Sequence, residues 1–330
     1  MRTRRSLIAL LLALGLFAAA CSDSDDDGDD VAAGDDTESA DEAEDVEDDA
    51  ATAPPIEFVP LEPGAVTFEA LENGDVDMAV LFSTQGVIAE KGWVVLEDDR
   101  TLQGSDNLIP LIRTEVADEN VTSILNAVSS VLTTEGLTEA NRRVDSDKED
   151  TEVVAREYLE AENALPQDEV GAGTTVVVGS ANFSEAEIVA QMYKIALEAA
   201  GYTVELKAQL GSREVLVPAL ESGEIDVEPE YLQSLLVFLD PDAPAVTPEE
   251  GVAALAEVLP EGLTVLDPAP AQDQNAIVVT AETAEKYGLR TTSDLLEVTD
   301  RLRLAGPPEC PERPLCIPGY EEVYGLQFEV

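Results

Sequence analysis

Acid pairs such as Glu228 and Glu230 are the first places to look for chemistry in this 330-residue chain, because two carboxylates in different surroundings can serve as acid and base. Among 70 Asp and Glu such pairs also arise by chance, so this one alone assigns no reaction. Cys310 and Cys316 stand six residues apart and are flanked by prolines, which suits a disulfide in an oxidising compartment. Structural zinc is the poorer reading, since two thiolates without histidine or further cysteines leave a tetrahedron incomplete. The chain has no histidine, which removes Ser-His-Asp and Cys-His catalysis, His-based zinc sites and imidazole switches together. It has no Walker A lysine motif and no Gly-x-Ser-x-Gly. Gly171-Ala172-Gly173 precedes a strand pattern, where a dinucleotide loop would precede a helix. The expectation is a chain that is not an enzyme and uses no cofactor or metal.

The elements that must position such residues are clearest from residue 174 onward. Residues 174–178 are a β-branched run ending in Gly179-Ser180. Ser184, with Glu187 three residues on, reads as a capping box. It precedes a helical face of Ile188, Val189, Met192, Ile195, Ala196, Ala199 and Ala200, stopped by Gly201. Tyr202, Val204, Leu206, Ala208 and Leu210 then alternate as a half-buried strand does. Ser212 caps a short helix that stops at Gly223, and residues 225–227 return to a strand. This β-α-β-α-β series predicts a mostly parallel sheet covered by helices, with ligands gathering at the strands' carboxyl ends around residues 179–185 and 228–233. Residues 68–77 echo residues 218–226 as helix, glycine stop, acid and strand. Either one αβ unit is used in each of two lobes, or this is a joint that recurs in any α/β protein.

With 18 Lys and Arg, the net charge is -52, and a phosphate-binding surface has few cations to draw on, so nucleic acid is not an expected partner. The acidity reads as a solvated surface or, more weakly, as a field that steers cations. Arg2, Arg4 and Arg5, an apolar run over residues 7–16, and Ala18-Ala19-Ala20 before Cys21 read as an export signal over residues 1–21. Cys21 matches a bacterial lipobox, with Ala18 in place of the usual leucine; an incidental cysteine after an ordinary secretion signal is the alternative. Residues 22–55 hold little to bury and read as an extended, disordered acidic tether. No apolar run reaches the length of a membrane span, so the expected location is the extracytoplasmic face of a bacterial cell membrane, held by lipid at Cys21.

Residues 176–185, Leu210-Gly211-Ser212-Arg213-Glu214-Val215, residues 218–226 and Pro229-Glu230-Tyr231 together resemble the OpuAC family. These are the substrate-binding proteins of osmoprotectant (glycine betaine, choline, carnitine) ABC transporters. Gly306-Pro307-Pro308-Glu309-Cys310 through Tyr324-Gly325-Leu326, residues 73–77 with Phe82-Ser83-Thr84, and residues 133–135 with 143–145 extend the likeness over nearly all of residues 56–330. The resemblance implies a two-lobed α/β fold of the type II periplasmic-binding-protein kind, closing about a hinge on a small solute. The expected partners are that solute, ABC permease subunits and the membrane, for a monomeric receptor. An extracellular sensing or scaffold module that kept the fold without transport is the alternative.

The order of the motifs is rotated with respect to the family: what would be its last third comes first. A circular permutation accounts for this, with residues 166–173 joining the family's old termini. The alternative is a rearranged gene whose halves fold badly. On the first reading one lobe spans residues 111–280, the other is assembled from residues 56–110 and 281–330, and crossings near 107–113 and 275–280 form the hinge.

The resemblance further implies a quaternary ammonium held by aromatic faces. Tyr231 and Phe82 are the cage candidates, beside the Asn182-Phe183 segment, with ordinary core positions as their alternative. Ser83 and Thr84 would donate to a solute carboxylate and Arg313 would fork onto it, unless Arg313 is a surface residue. The chain has Asn275 and Asp106 where family members carry tyrosines, and Ala181 where they carry a lysine. Those departures point toward a more cationic or more polar solute, with Asp106, Asp273 or Glu228 as counter-charges.

Overall fold

The computed structural model describes residues 53–330. The expectations for residues 1–21, Cys21 included, and for the tether as far as residue 52 lie outside the described residues. Eleven strands occur among the described residues: β1 (Ile56–Pro60), β2 (Met78–Phe82), β3 (Val94–Val95), β4 (Leu108–Arg113), β5 (Thr175–Gly179), β6 (Thr203–Lys207), β7 (Val227–Tyr231), β8 (Leu263–Val265), β9 (Asn275–Val279), β10 (Arg303–Gly306) and β11 (Phe328–Glu329). They form two sheets, ordered β11-β1-β10-β2-β9-β3 and β6-β5-β7-β4-β8, and the fold is mixed α/β.

Both sheets carry packing on both faces at their centres, which explains why β2, β4 and β5 read as near-continuous apolar runs rather than alternating ones. Along β2, Met78 and Val80 join a core with Phe58, Ile277 and Leu304, whereas Ala79 and Leu81 turn to a second core with Leu71 and Val278. In the other lobe, Val176, Val178 and Val227 pack beneath the helices Glu119–Val131, Thr151–Ala161 and Ser184–Ala199. Ile109, Leu111 and Ile225 face the opposite way, beneath Arg213–Ser222, Leu232–Leu239 and Pro248–Val258. Gly179 lets β5 approach its neighbour, since a Cβ there would lie 2.5 Å from Ile225 Cδ1. Gly201, at φ +87, takes the left-handed turn that ends the helix Ser184–Ala199.

Three local expectations need correction. The helix at 184 begins one residue earlier than its polar cue suggests: its N-cap is the extended Phe183, and no capping box forms. Partners from elsewhere take those side chains instead, with Ser184 donating to Asp145 Oδ1 at 2.5 Å and Glu187 accepting from Thr151 at 2.8 Å. Ser212 does sit at the next N-cap, but its hydroxyl donates to the Glu214 carboxylate and accepts from no helix amide, so it makes no cap hydrogen bond. The crossings between the lobes are also displaced. Asn275–Val279, expected at the hinge, is wholly a strand of the first sheet, because its apolar side chains are buried between that sheet's two layers. Leu108–Arg113 is likewise wholly a strand of the second. The connecting segments lie just before these strands, where Asn107 bridges Gln272 in antiparallel fashion and the Asp273 amide donates to the Asp106 carbonyl at 3.1 Å.

β1 and β11 are parallel neighbours, with Ile56 opposite Phe328 and Glu57 opposite Glu329. The two sequence-distant ends of the described fold therefore lie side by side in one sheet.

Candidate functional site

The carboxyl ends of β2, β5, β7 and β10 converge on a cavity of about 360 Å³ between the two lobes. Alternation along β7 decides what reaches it. Val227 and Tyr231 turn toward the core under the helix Ser184–Ala199, and Glu228 and Glu230 turn to the other face, where Arg213 begins its helix. Arg213 Nε donates to Glu230 Oε2 at 2.8 Å, and both side chains are nearly buried. Burial alone would lower the Arg213 guanidinium, but the adjoining Glu230 carboxylate outweighs it and raises it.

Phe82, Phe183 and Tyr231 form a ladder along one wall, with ring centroids 4.9 Å apart for the first pair and 6.1 Å for the second. Phe82 comes from the end of β2 and faces Asn275 across the antiparallel pair with β9; Phe183 comes from the loop after β5. Asp106, Asn182, Asn275 and Arg313 line the same cavity. Asp106 accepts from the Ser234 amide at 2.9 Å and from its hydroxyl, and burial nonetheless pushes its carboxyl up to about 6. Asn182 Nδ2 reaches Glu62 Oε2 in the other lobe at 3.3 Å.

Other candidates are occupied in ways the sequence did not suggest. Ser83 and Thr84 are not among the residues lining the cavity; Ser83 is exposed, and Thr84 is buried among polar side chains. Ser83 Oγ and the Thr84 amide each donate to Asp273 Oδ1 at 3.1 Å, which also removes Asp273 as a counter-charge for solute. Thr84 Oγ1 donates to Glu185 Oε2 at 2.6 Å, and Glu185 accepts further from Asn141 at 2.6 Å and from the Tyr231 hydroxyl at 2.7 Å. Burial raises both the Glu185 and the Asp273 carboxyls. Arg313 is not free for a solute carboxylate either: it holds Glu214 of the other lobe at 3.0 Å and Glu309 at 3.0 Å. Burial would raise Glu214, but Arg313 and Ser212 hold it down to about 2. Cys310 and Cys316 form a disulfide, Cα atoms 5.3 Å apart, at the base of the loop that presents Arg313.

Sequence reasoning did not single out Arg213 and Glu214, which line the cavity, or Glu185, which accepts from the Tyr231 hydroxyl. A signal existed for the first: in so acidic a chain, a lone arginine opening a helix beside a sheet's carboxyl edge is a natural partner for a buried carboxylate.

The family model described as the substrate binding domain of ABC-type glycine betaine transport system, OpuAC, matches residues 58–161 and 174–330. The chain belongs to the OpuAC family. Two curated relatives are 31% identical to this OpuAC-family chain. One is the glycine betaine-binding protein YehZ of Escherichia coli (strain K12), over 164 residues, covering 48% of this chain and 54% of that protein. The other is the glycine-betaine-binding protein of Pseudomonas aeruginosa, over 166 residues, covering 47% and 52%. The chain thus spans about half the length of the curated relatives it matches. The substrate-binding domain of an oligopeptide ABC transporter from Bacillus anthracis str. Ames superposes with a TM-score of 0.36 at 12% identity, covering 67% of this chain and 53% of that one.

Proposed function

We propose that this OpuAC-family chain is the solute receptor of an ABC importer, and that its inter-lobe cavity captures a small organic cation of the quaternary-ammonium or a related kind. The observation that carries this reading is the pairing of two features on one cavity: the ladder Phe82, Phe183, Tyr231, and a lining of six carboxylates against two guanidiniums. Aromatic faces attract a cation by about 0.5 to 2 kcal/mol per contact, and the surplus of negative charge supplies the long-range part of the attraction. Closure is held by bonds that cross the gap, Arg313 to Glu214, Asn182 to Glu62 and Thr84 to Glu185. A solute touching both lobes favours the closed state by its differential affinity for it, and a permease reads that state.

On this reading the receptor works outside the cytoplasmic membrane, tied to it through a lipidated Cys21. Among the described residues no helix is long and apolar enough to cross a bilayer. The lobes follow from a rotated family order, a reading supported by the break in the family match between residues 161 and 174 and by the pairing of β1 with β11. Isothermal titration of the full chain with glycine betaine, choline, carnitine and basic amino acids tests the receptor role. Saturable binding of at least one of them is expected, and failure of all to bind contradicts it.

A further inference from the structure

One group on the cavity wall finds no answer in the protein itself. Glu228 is 0% exposed, lines the cavity, and neither of its carboxyl oxygens has a hydrogen-bond partner among the described residues. The other two buried carboxylates of the lining are engaged, Glu230 by Arg213 at 2.8 Å and Asp106 by the Ser234 amide at 2.9 Å. A buried carboxylate without donors is costly, and the cost falls when a positively charged donor enters beside it. A fully methylated ammonium is no such donor: its methyl groups satisfy aromatic faces and leave the oxygen lone pairs unmet. A head group with an N–H meets both demands of this cavity, placing its apolar part on Phe82, Phe183 and Tyr231 and its proton on Glu228.

We propose that the solute of this cavity carries at least one N–H on its cationic head, as a primary or secondary ammonium, a protonated tertiary amine or a guanidinium, and that Glu228 accepts from it. This rests on the cavity being the solute site, and it makes Glu228 the residue that sets the receptor's choice among amines. Asp106 and Asn275, both on the same lining, add further hydrogen-bonding groups around such a head.

The test is titration calorimetry of the full chain with two methylation series: ethanolamine through its N-methyl and N,N-dimethyl forms to choline, and glycine through sarcosine and dimethylglycine to betaine. Agmatine serves as the guanidinium probe. The expected result is that agmatine or an N–H-bearing member binds at least about 10-fold tighter than the fully methylated member of either series. Glu228→Gln, which keeps the side chain's shape, should reduce that preference to within about 3-fold while thermal unfolding stays cooperative. Where the variant does not fold, the methylation series decides alone. Choline or betaine binding as tightly as every N–H-bearing probe overturns the inference and leaves the organic-cation receptor standing, as does an undiminished preference in a folded Glu228→Gln protein. Absence of binding by all probes overturns both.

Discussion

The sheet β6-β5-β7-β4-β8 and five strands of the other, β1-β10-β2-β9-β3, follow one plan: two parallel pairings, then two antiparallel ones. In the first, the chain runs β5, β6, β7 through the helices Ser184–Ala199 and Arg213–Ser222. In the second, the equivalent path is β10, β1, β2, and it has the same order only if the chain is followed from Val330 back to Ile56. β11 has no counterpart and lies as a surplus edge against β1. The lesson is that side-chain register and two buried faces hold such a sheet, whichever order the chain visits its strands in.

The same comparison separates the lobes by what they bring to the cavity. The continuous lobe supplies the buried charges, Arg213, Glu228 and Glu230, and two of the three aromatic rings. The lobe of the six-stranded sheet supplies Phe82, Asn275 and the more exposed Arg313. The buried charges thus lie in one lobe, and the other contributes the more exposed part of the lining.

If that division is right, the largest effect comes from the buried pair. Arg213→Ala leaves Glu230 without its cation and should cost about 3 to 5 kcal/mol in urea unfolding, whereas a loss below about 1 kcal/mol would erase the distinction between the lobes. Next comes pH. Burial raises Asp106 from 3.8 to about 6, so its contribution to stability is complete below pH 3.8 and disappears as pH rises through about 6. From pH 5 to pH 7.5 Asp106 alone should remove about 1 to 2 kcal/mol, and Glu228 and Asp273, raised by burial in the same sense, extend the loss upward. A denaturation midpoint that climbs across this interval would refute the buried-acid account; Glu214 has the opposite sign but titrates below that interval.

Smaller effects sharpen the contrast at the cavity. Phe183→Ala should weaken the tightest solute by about 5- to 30-fold in calorimetry, and Phe82→Ala, from the closing lobe, by less. Equal losses would mean that the lobes share the solute evenly. Smallest of all, Arg313→Ala should change stability by less than about 1 kcal/mol, since its partners keep access to water. Its effect belongs instead to solute release, which should quicken in stopped-flow measurements when the Arg313–Glu214 contact is removed.

Much of the continuous lobe was legible because its signals are local. The β-branched run before Gly179, the helical face from Ile188 to Ala200 and the glycine stops at 201 and 223 each declare an element within a dozen residues. Tyr231 and Phe82 were legible as cavity residues through the family motifs that surround them. What escaped were pairings across long separations. Ser83 was expected to meet solute and meets Asp273, 190 residues away; Thr84 meets Glu185, 101 residues away. No periodicity encodes such contacts. The bounds of the two crossings were drawn into the strands for a related reason: Asn275–Val279 is short and largely buried, and only its register with β2 distinguishes it from a connector.

The central claim, that an organic cation is enclosed between the two lobes, is tested most directly by a crystal structure of the protein grown with its tightest-binding amine. The account predicts electron density for that molecule between the Phe82, Phe183 and Tyr231 rings and the Glu228 carboxylate. Density at any other place, with those rings and that carboxylate untouched, would contradict it.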